Sequence, residues 1–134
     1  MILNTYVNFA GRCAEAFGFY AEHLGATVTA MTLHRDVPNP NLPPGWGKAV
    51  LHGRLQIGGT DLMAADIPDA QPMRSAYLTL RLDTDAESER IYSALSEGGK
   101  IFMAMNETFF ASRFAQLQDQ FGINWMIMTE RATG

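Results

Sequence analysis

Polar and apolar residues alternate along the first stretch of the chain. Asn4, Tyr6 and Asn8 interleave with Thr5, Val7 and Phe9. The same rhythm returns later, where Tyr77, Thr79 and Arg81 interleave with Leu78, Leu80 and Leu82. A period of two predicts strands with one buried face. Each is followed by a turn and then by helical spacing. In the first helix Cys13, Phe17, Tyr20 and Leu24 recur on one side with Ala21 beside them, and Gly25 suits a left-handed C-terminal cap. In the second, Thr84 and Glu87 predict a capping box, Ile91, Ala94 and Leu95 form the apolar stripe, and Gly98 and Gly99 end it.

The second halves of these two stretches also match. The segments "RLQIGGTDLM" (54–63) and "QLQDQFGINWM" (116–126) both carry Leu-Gln, a glycine turn and a strand ending on methionine. Further strand-like runs cover 27–33, 48–57, 100–105 and 112–118. The pattern therefore predicts an α+β chain of two tandem β-α-β-β-β modules, about 1–68 and 74–130. Each module alone has little core, so one domain spanning 1–134 is expected. Four prolines within 36–48 predict a loop there, and 66–75 joins the modules.

Composition narrows the function classes. At 134 residues, 47% hydrophobic and 18% charged, the chain is an ordinary globular one. A net charge of −4 without a basic stripe argues against a nucleic-acid partner. No apolar run approaches the ~20 residues that cross a bilayer, so no membrane association is expected. No signal peptide is read at the start. Cys13 is the single cysteine, which excludes an internal disulfide and suits a reducing cytoplasm.

The segments "FAGRCAEAFGFY", "VLHGRLQIGGTDLMAAD", "EGGKIFMAMNETFFASRF" and "DQFGINWMI" resemble the vicinal oxygen chelate superfamily, which includes glyoxalase I, bleomycin-resistance proteins and extradiol dioxygenases. Within it they look most like the branch named after the phosphonate-operon B protein, often likened to 3-demethylubiquinone 3-methyltransferase. Methyl transfer of the usual kind needs a glycine-rich cofactor loop after a first strand. The chain has none.

The resemblance implies that each module's sheet folds into a cup. It also implies homodimers, and in metal-using members four inward-pointing ligands, one from the first and one from the last strand of each module. The corresponding positions here are Asn4 (or Thr5), Met63, Tyr77 and Met126. Metal-using members carry histidine and glutamate there, which suit divalent iron, nickel and zinc. Neutral thioethers, an amide and a phenol do not. No metal and no cofactor are therefore expected, and these positions become candidate ligand contacts.

Other polar groups could replace the metal. His52, Arg54 and Gln56 share one face of their strand, with Leu51, Leu55 and Ile57 on the other. His52 is a candidate general base, and Arg54 a candidate bidentate partner for an anionic group. Glu107 and Arg113 are charges in an apolar stretch, natural partners for each other; Glu107 is a second candidate base and Arg113 a candidate substrate contact. Met103 and Met105 are expected on one face, as are Met126 and Met128, with Tyr6, Tyr77 and Trp46 as aromatic walls. Cys13 reads as buried, His23 as a helix-end charge, and Trp125 as core. The expected function is metal-free binding of a small molecule. The alternative is an enzyme of lyase, isomerase or oxygenase type acting on a small organic substrate, with His52 or Glu107 as base, or as displaced ligands if it is metal-dependent.

Overall fold

The computed structural model describes residues 1–131. They form two compact units, Met1–Gln71 and Pro72 onward. In the first, β1 (Thr5–Phe9) leads to α1 (Cys13–Leu24), β2 (Thr27–Leu33), a short 3-10 turn, β3 (Val50–Ile57) and β4 (Thr60–Asp66). In the second, β5 (Leu78–Arg81) leads to α2 (Asp85–Ser96), β6 (Lys100–Asn106), β7 (Ala111–Gln118) and β8 (Asn124–Glu130). The sheets run in the orders β1-β4-β3-β2 and β5-β8-β7-β6. In both, the first and last strands pair in parallel and the rest are antiparallel. The predicted α+β modules and their repeat are thus the observed architecture.

Each helix covers one face of its own sheet. Cys13, Ala16, Phe17 and Tyr20 are fully buried on α1, and Phe17 meets Phe9 edge-on at 6.5 Å. Gly53 on β3 lies under the Phe17 ring, where an added Cβ would sit 2.9 Å from a ring carbon. That close approach explains a glycine inside a central strand. Gly25 ends α1 at φ +66°, the predicted left-handed cap. On α2 the buried residues are Ser88, Ile91 and Leu95. Trp125 is buried beside them in β8, on the helix side as its alternation with Met126 predicts. Its Nε1 donates to Asp119 Oδ2 at 2.9 Å.

Buried polar groups hold the helix starts. Asp66 closes β4 and is 1% exposed. Its Oδ1 accepts from the Gly11 and Cys13 amides at 2.9 and 3.0 Å, and its Oδ2 from the Val50 amide at 2.8 Å. One carboxylate thus joins α1, β3 and β4, supplying acceptors to amides that have no intrahelical partner. In the second unit Thr129 stands at the equivalent place, three residues beyond Met126 as Asp66 is beyond Met63. Its hydroxyl donates to the Thr84 carbonyl at 3.1 Å and lies 2.7 Å from Ser88 Oγ. The predicted capping box is half formed. Thr84 Oγ1 accepts from the Glu87 amide, while the Glu87 carboxylate turns to Arg90.

Cys13 is fully buried, as expected. Burial, and then the nearby Asp66 charge, push its thiol up to about 12. It stays protonated through neutral pH and is no nucleophile.

The Asp66 clamp gives a direct test. Asp66→Ala leaves the amides of Gly11, Cys13 and Val50 without acceptors, at about 1–3 kcal/mol for each unsatisfied buried group. The expected loss of unfolding free energy in urea is roughly 3 kcal/mol or more, against a change below about 1 kcal/mol for the exposed control Asp69→Ala. Equal effects would remove the clamp.

Candidate functional site

The helix-free face of the first sheet collects most of the predicted polar residues. Strand register sets them in rows. Tyr6 on β1 pairs with Met63 on β4, Met63 with Arg54 on β3, and Arg54 with Ala30 on β2. The next row holds His52 beside Thr32. Alternation puts Asn8 and Ala65, themselves a pair, on the same face. The Tyr6 and His52 rings lean toward each other at 6.1 Å with 33° between their planes. Ala65, small and 6% exposed, lies in this part of the sheet. Tyr6 remains 48% exposed. Partial burial, and to a lesser extent Cys13, raise its phenol above the ordinary value, so it stays a hydrogen-bond donor.

Arg54 is the charged member of this face. Its Nη2 donates to Met63 Sδ at 3.5 Å. Among the described residues no carboxylate lies within ion-pair distance of it. A thioether is a weak, neutral acceptor, so this contact does not neutralise the guanidinium charge. Asn4 lies just before β1 and is exposed. The register makes Tyr6, not Asn4, the partner of Met63.

The second unit differs. Its corresponding row is Thr79, Met126, Gln116 and Met103. Tyr77 stands immediately before β5, two positions from Thr79. Met103 and Met105 do not share a face. An irregularity in β6 lies between Met103, paired with Gln116, and Asn106, paired with Phe114. Met105 instead lines a cavity of about 480 Å³ with Tyr92 and Glu89 of α2. An extra residue at a β-bulge reverses the inside–outside alternation, which a period-two reading cannot foresee.

Glu107 and Arg113 line the same helix-side cavity, but they are not ion-paired with each other. Glu107 pairs with Arg131 at 2.8 Å. Arg113 pairs with Glu89 at 2.8 Å and Asp85 at 3.5 Å, on α2. The Glu89 hydrogen bond, then the Asp85 charge, raise the Arg113 guanidinium further, keeping it a fixed cation. Both arginines here are thus paired with carboxylates at the surface. Trp46 also lies away from Tyr6's row. Its ring packs near Gly11 and edge-on to His34 at 6.4 Å, where His34 Nε2 reaches the Asp66 carbonyl.

The donor set does not suit a divalent metal. Among the described residues no three histidine, cysteine, aspartate or glutamate side chains converge. Met63 and Met126 supply only thioethers, and Met63 is already approached by a guanidinium. These residues do not fit divalent iron, nickel or zinc. The residues that sequence reasoning overlooked are Thr79 and Gln116, in register with Met126, and Ala65. Their signal was strand pairing, which becomes visible only when both partners of a ladder are known. No helix among the described residues is long and apolar enough to cross a membrane.

Residues 2–127 match the family model of the Glyoxalase/Bleomycin resistance protein/Dioxygenase superfamily. Protein YjdN of Escherichia coli is 34% identical over a 139-residue alignment, covering 95% of this chain and 94% of YjdN. The crystal structure of PA1353 from Pseudomonas aeruginosa superposes with a TM-score of 0.87 at 36% identity, covering 98% of this chain and 99% of that one. The PhnB protein of Bacillus cereus shares the fold, with a TM-score of 0.81 at 20% identity over 96% and 99% of the two chains. The repeated β-α-β-β-β units, the nearly full-length family match and these relatives agree: the chain belongs to the glyoxalase/bleomycin resistance protein/dioxygenase superfamily.

Proposed function

We propose that this superfamily member binds a small organic molecule on the helix-free face of its first sheet, and that it does so without a divalent metal. The contact between Arg54 and Met63 carries the reading. Position 63 corresponds to a ligand position in metal-using members, and its sulfur lies 3.5 Å from a guanidinium nitrogen. A permanent cation at that distance opposes a second one. The surrounding Tyr6, His52 and Ala65 combine apolar area with a few convergent polar groups, the usual makeup of a small-molecule site. Asn4, exposed just before β1, is a further contact proposed on this face; Tyr77 and Met126 are contacts proposed separately within the second unit.

A second reading is catalytic. It is favoured by the placement of His52 on the same face as Arg54, 6.1 Å from Tyr6. His52 would take a proton and Arg54 would stabilise the resulting anion. Glu107 would have to leave Arg131 to act as base, and Arg113 would have to leave Glu89.

We further propose a cytoplasmic homodimer. The single buried Cys13 suits a reducing compartment. The edge strands β2 and β6 carry exposed Val28 and Met31, and Ile101, Phe102 and Met103. Apolar edge strands with unpaired backbone groups are templates for pairing with another chain.

Three outcomes test these statements. Chelator-stripped protein is expected to melt at the same temperature with or without Ni²⁺, Co²⁺, Zn²⁺ or anaerobic Fe²⁺, because only a ligand bound to the folded state raises stability. A stoichiometric metal with a clear rise in Tm would overturn the metal-free reading. His52→Ala is expected to change the affinity for a ligand found by screening, and to do no more; loss of a turnover seen in the parent protein would establish the catalytic reading instead. Light scattering is expected to give twice the chain mass, and a monomer at micromolar concentration would exclude the dimer.

A further inference from the structure

The two units repeat one scaffold, and their helix-free faces can be compared row by row. In the first unit the row reads Tyr6, Met63, Arg54, Ala30. In the second it reads Thr79, Met126, Gln116, Met103. The methionine is kept, while a fixed cation in one row stands where the other has a neutral amide. The strand itself does not require the charge, since β7 forms the same ladder with glutamine.

Arg54 is also unlike the other arginines of the β-strands and α-helices and the one that precedes α1. Arg12, Arg81, Arg90 and Arg113 each reach a carboxylate within 3.6 Å. Arg54 reaches a thioether. It sits in a central strand, with Ala30 and Met63 as cross-strand neighbours. Ala30 is too short to block an approaching group and Met63 carries no charge. One guanidinium neutralises a monoanion, and its fork matches a carboxylate bidentately. A phosphate dianion would keep surplus charge. Asp61, placed on this same face by its pairing with Gln56, would repel that surplus, which a neutralised monoanion does not carry. Beside the cation, the tilted Tyr6 and His52 rings offer a partly exposed aromatic surface, on which a ring is held by offset or edge-on contact.

We propose that the ligand of this face is an aromatic carboxylate, with its carboxylate on Arg54 and its ring on Tyr6 and His52. The proposal rests on the small-molecule reading of the same face and adds the ligand's chemical class. The Met63 sulfur holds the guanidinium in place and yields to the carboxylate as the stronger acceptor.

The test titrates the full-length protein with benzoate, its neutral isostere benzamide, cyclohexanecarboxylate and inorganic phosphate. Amide chemical shifts are followed by NMR at Tyr6, His52, Arg54 and Met63. Benzoate is expected to move these resonances, with benzamide and phosphate about tenfold weaker or worse and cyclohexanecarboxylate between. Arg54→Gln copies the residue of the second unit at the equivalent place, so it should fold; its Tm is measured alongside. It is expected to weaken benzoate about tenfold or more, as loss of a charge-assisted pair requires. Arg54→Lys, which keeps the charge and loses the fork, should recover part of the affinity. Undiminished benzoate binding by a folded Arg54→Gln protein would overturn the proposal, as would benzamide binding as well as benzoate. If neutral fragments move the face and carboxylates do not, the ligand class is wrong and the small-molecule reading stands. If neither kind moves it, both fall.

Discussion

The buried Asp66 carboxylate is the constraint around which the first unit is organised. Placing an acidic side chain at 1% exposure is costly unless every oxygen is used. Here the amides of Gly11, Cys13 and Val50 use them. The bonds fix the start of α1 against the ends of β3 and β4. They also set which residues of α1 face the sheet, and therefore which face of the sheet is left free of helix. Tyr6, His52, Arg54 and Met63 share that face because the opposite one is committed to Phe17, Tyr20 and Leu55.

The second unit reaches the same geometry with weaker chemistry. Thr129 and Ser88 replace the carboxylate by a pair of hydroxyls, with Thr84 as the cap. A second carboxylate, Asp119, gathers the amides of Phe121 and Ile123 and the indole of Trp125. One scaffold thus has two sets of polar fasteners and two different free faces. The free face of the first unit holds a cation with no ion-pair partner among the described residues; the charges singled out in the second, Glu107 and Arg113, are spent on neighbours in ion pairs. Exposed ion pairs of this kind contribute little stability each. Their effect here is to leave Arg54 as the charged group without an ionic partner among those weighed for function.

Much of this was legible in the residues. Alternation at Asn4–Phe9 and Tyr77–Leu82, helical spacing from Cys13 and from Ile91, and the matching Leu-Gln segments are local signals. Local signals report which face of an element is buried. They placed His52 and Arg54 together correctly, and Trp125 opposite Met126. They failed where a partner strand or helix decides. The pairing of Glu107 with Arg131 joins residues far apart in sequence, and Arg113 is taken by α2, so nearness along the chain was misleading. The separation of Met103 from Met105 arises at a bulge, where one added residue reverses a face.

The amino-acid sequence by itself determined the α+β class, the tandem repeat and the buried stripes of both helices. Each follows from periodicity or side-chain chemistry, which need no knowledge of neighbours. Only the tertiary structure decided that Tyr6 rather than Asn4 stands across from Met63, that Arg54 points its charge at a thioether, and that Asp66 holds the start of a helix. Register and hydrogen-bond partnership are properties of pairs. They exist only once folding has brought distant segments side by side.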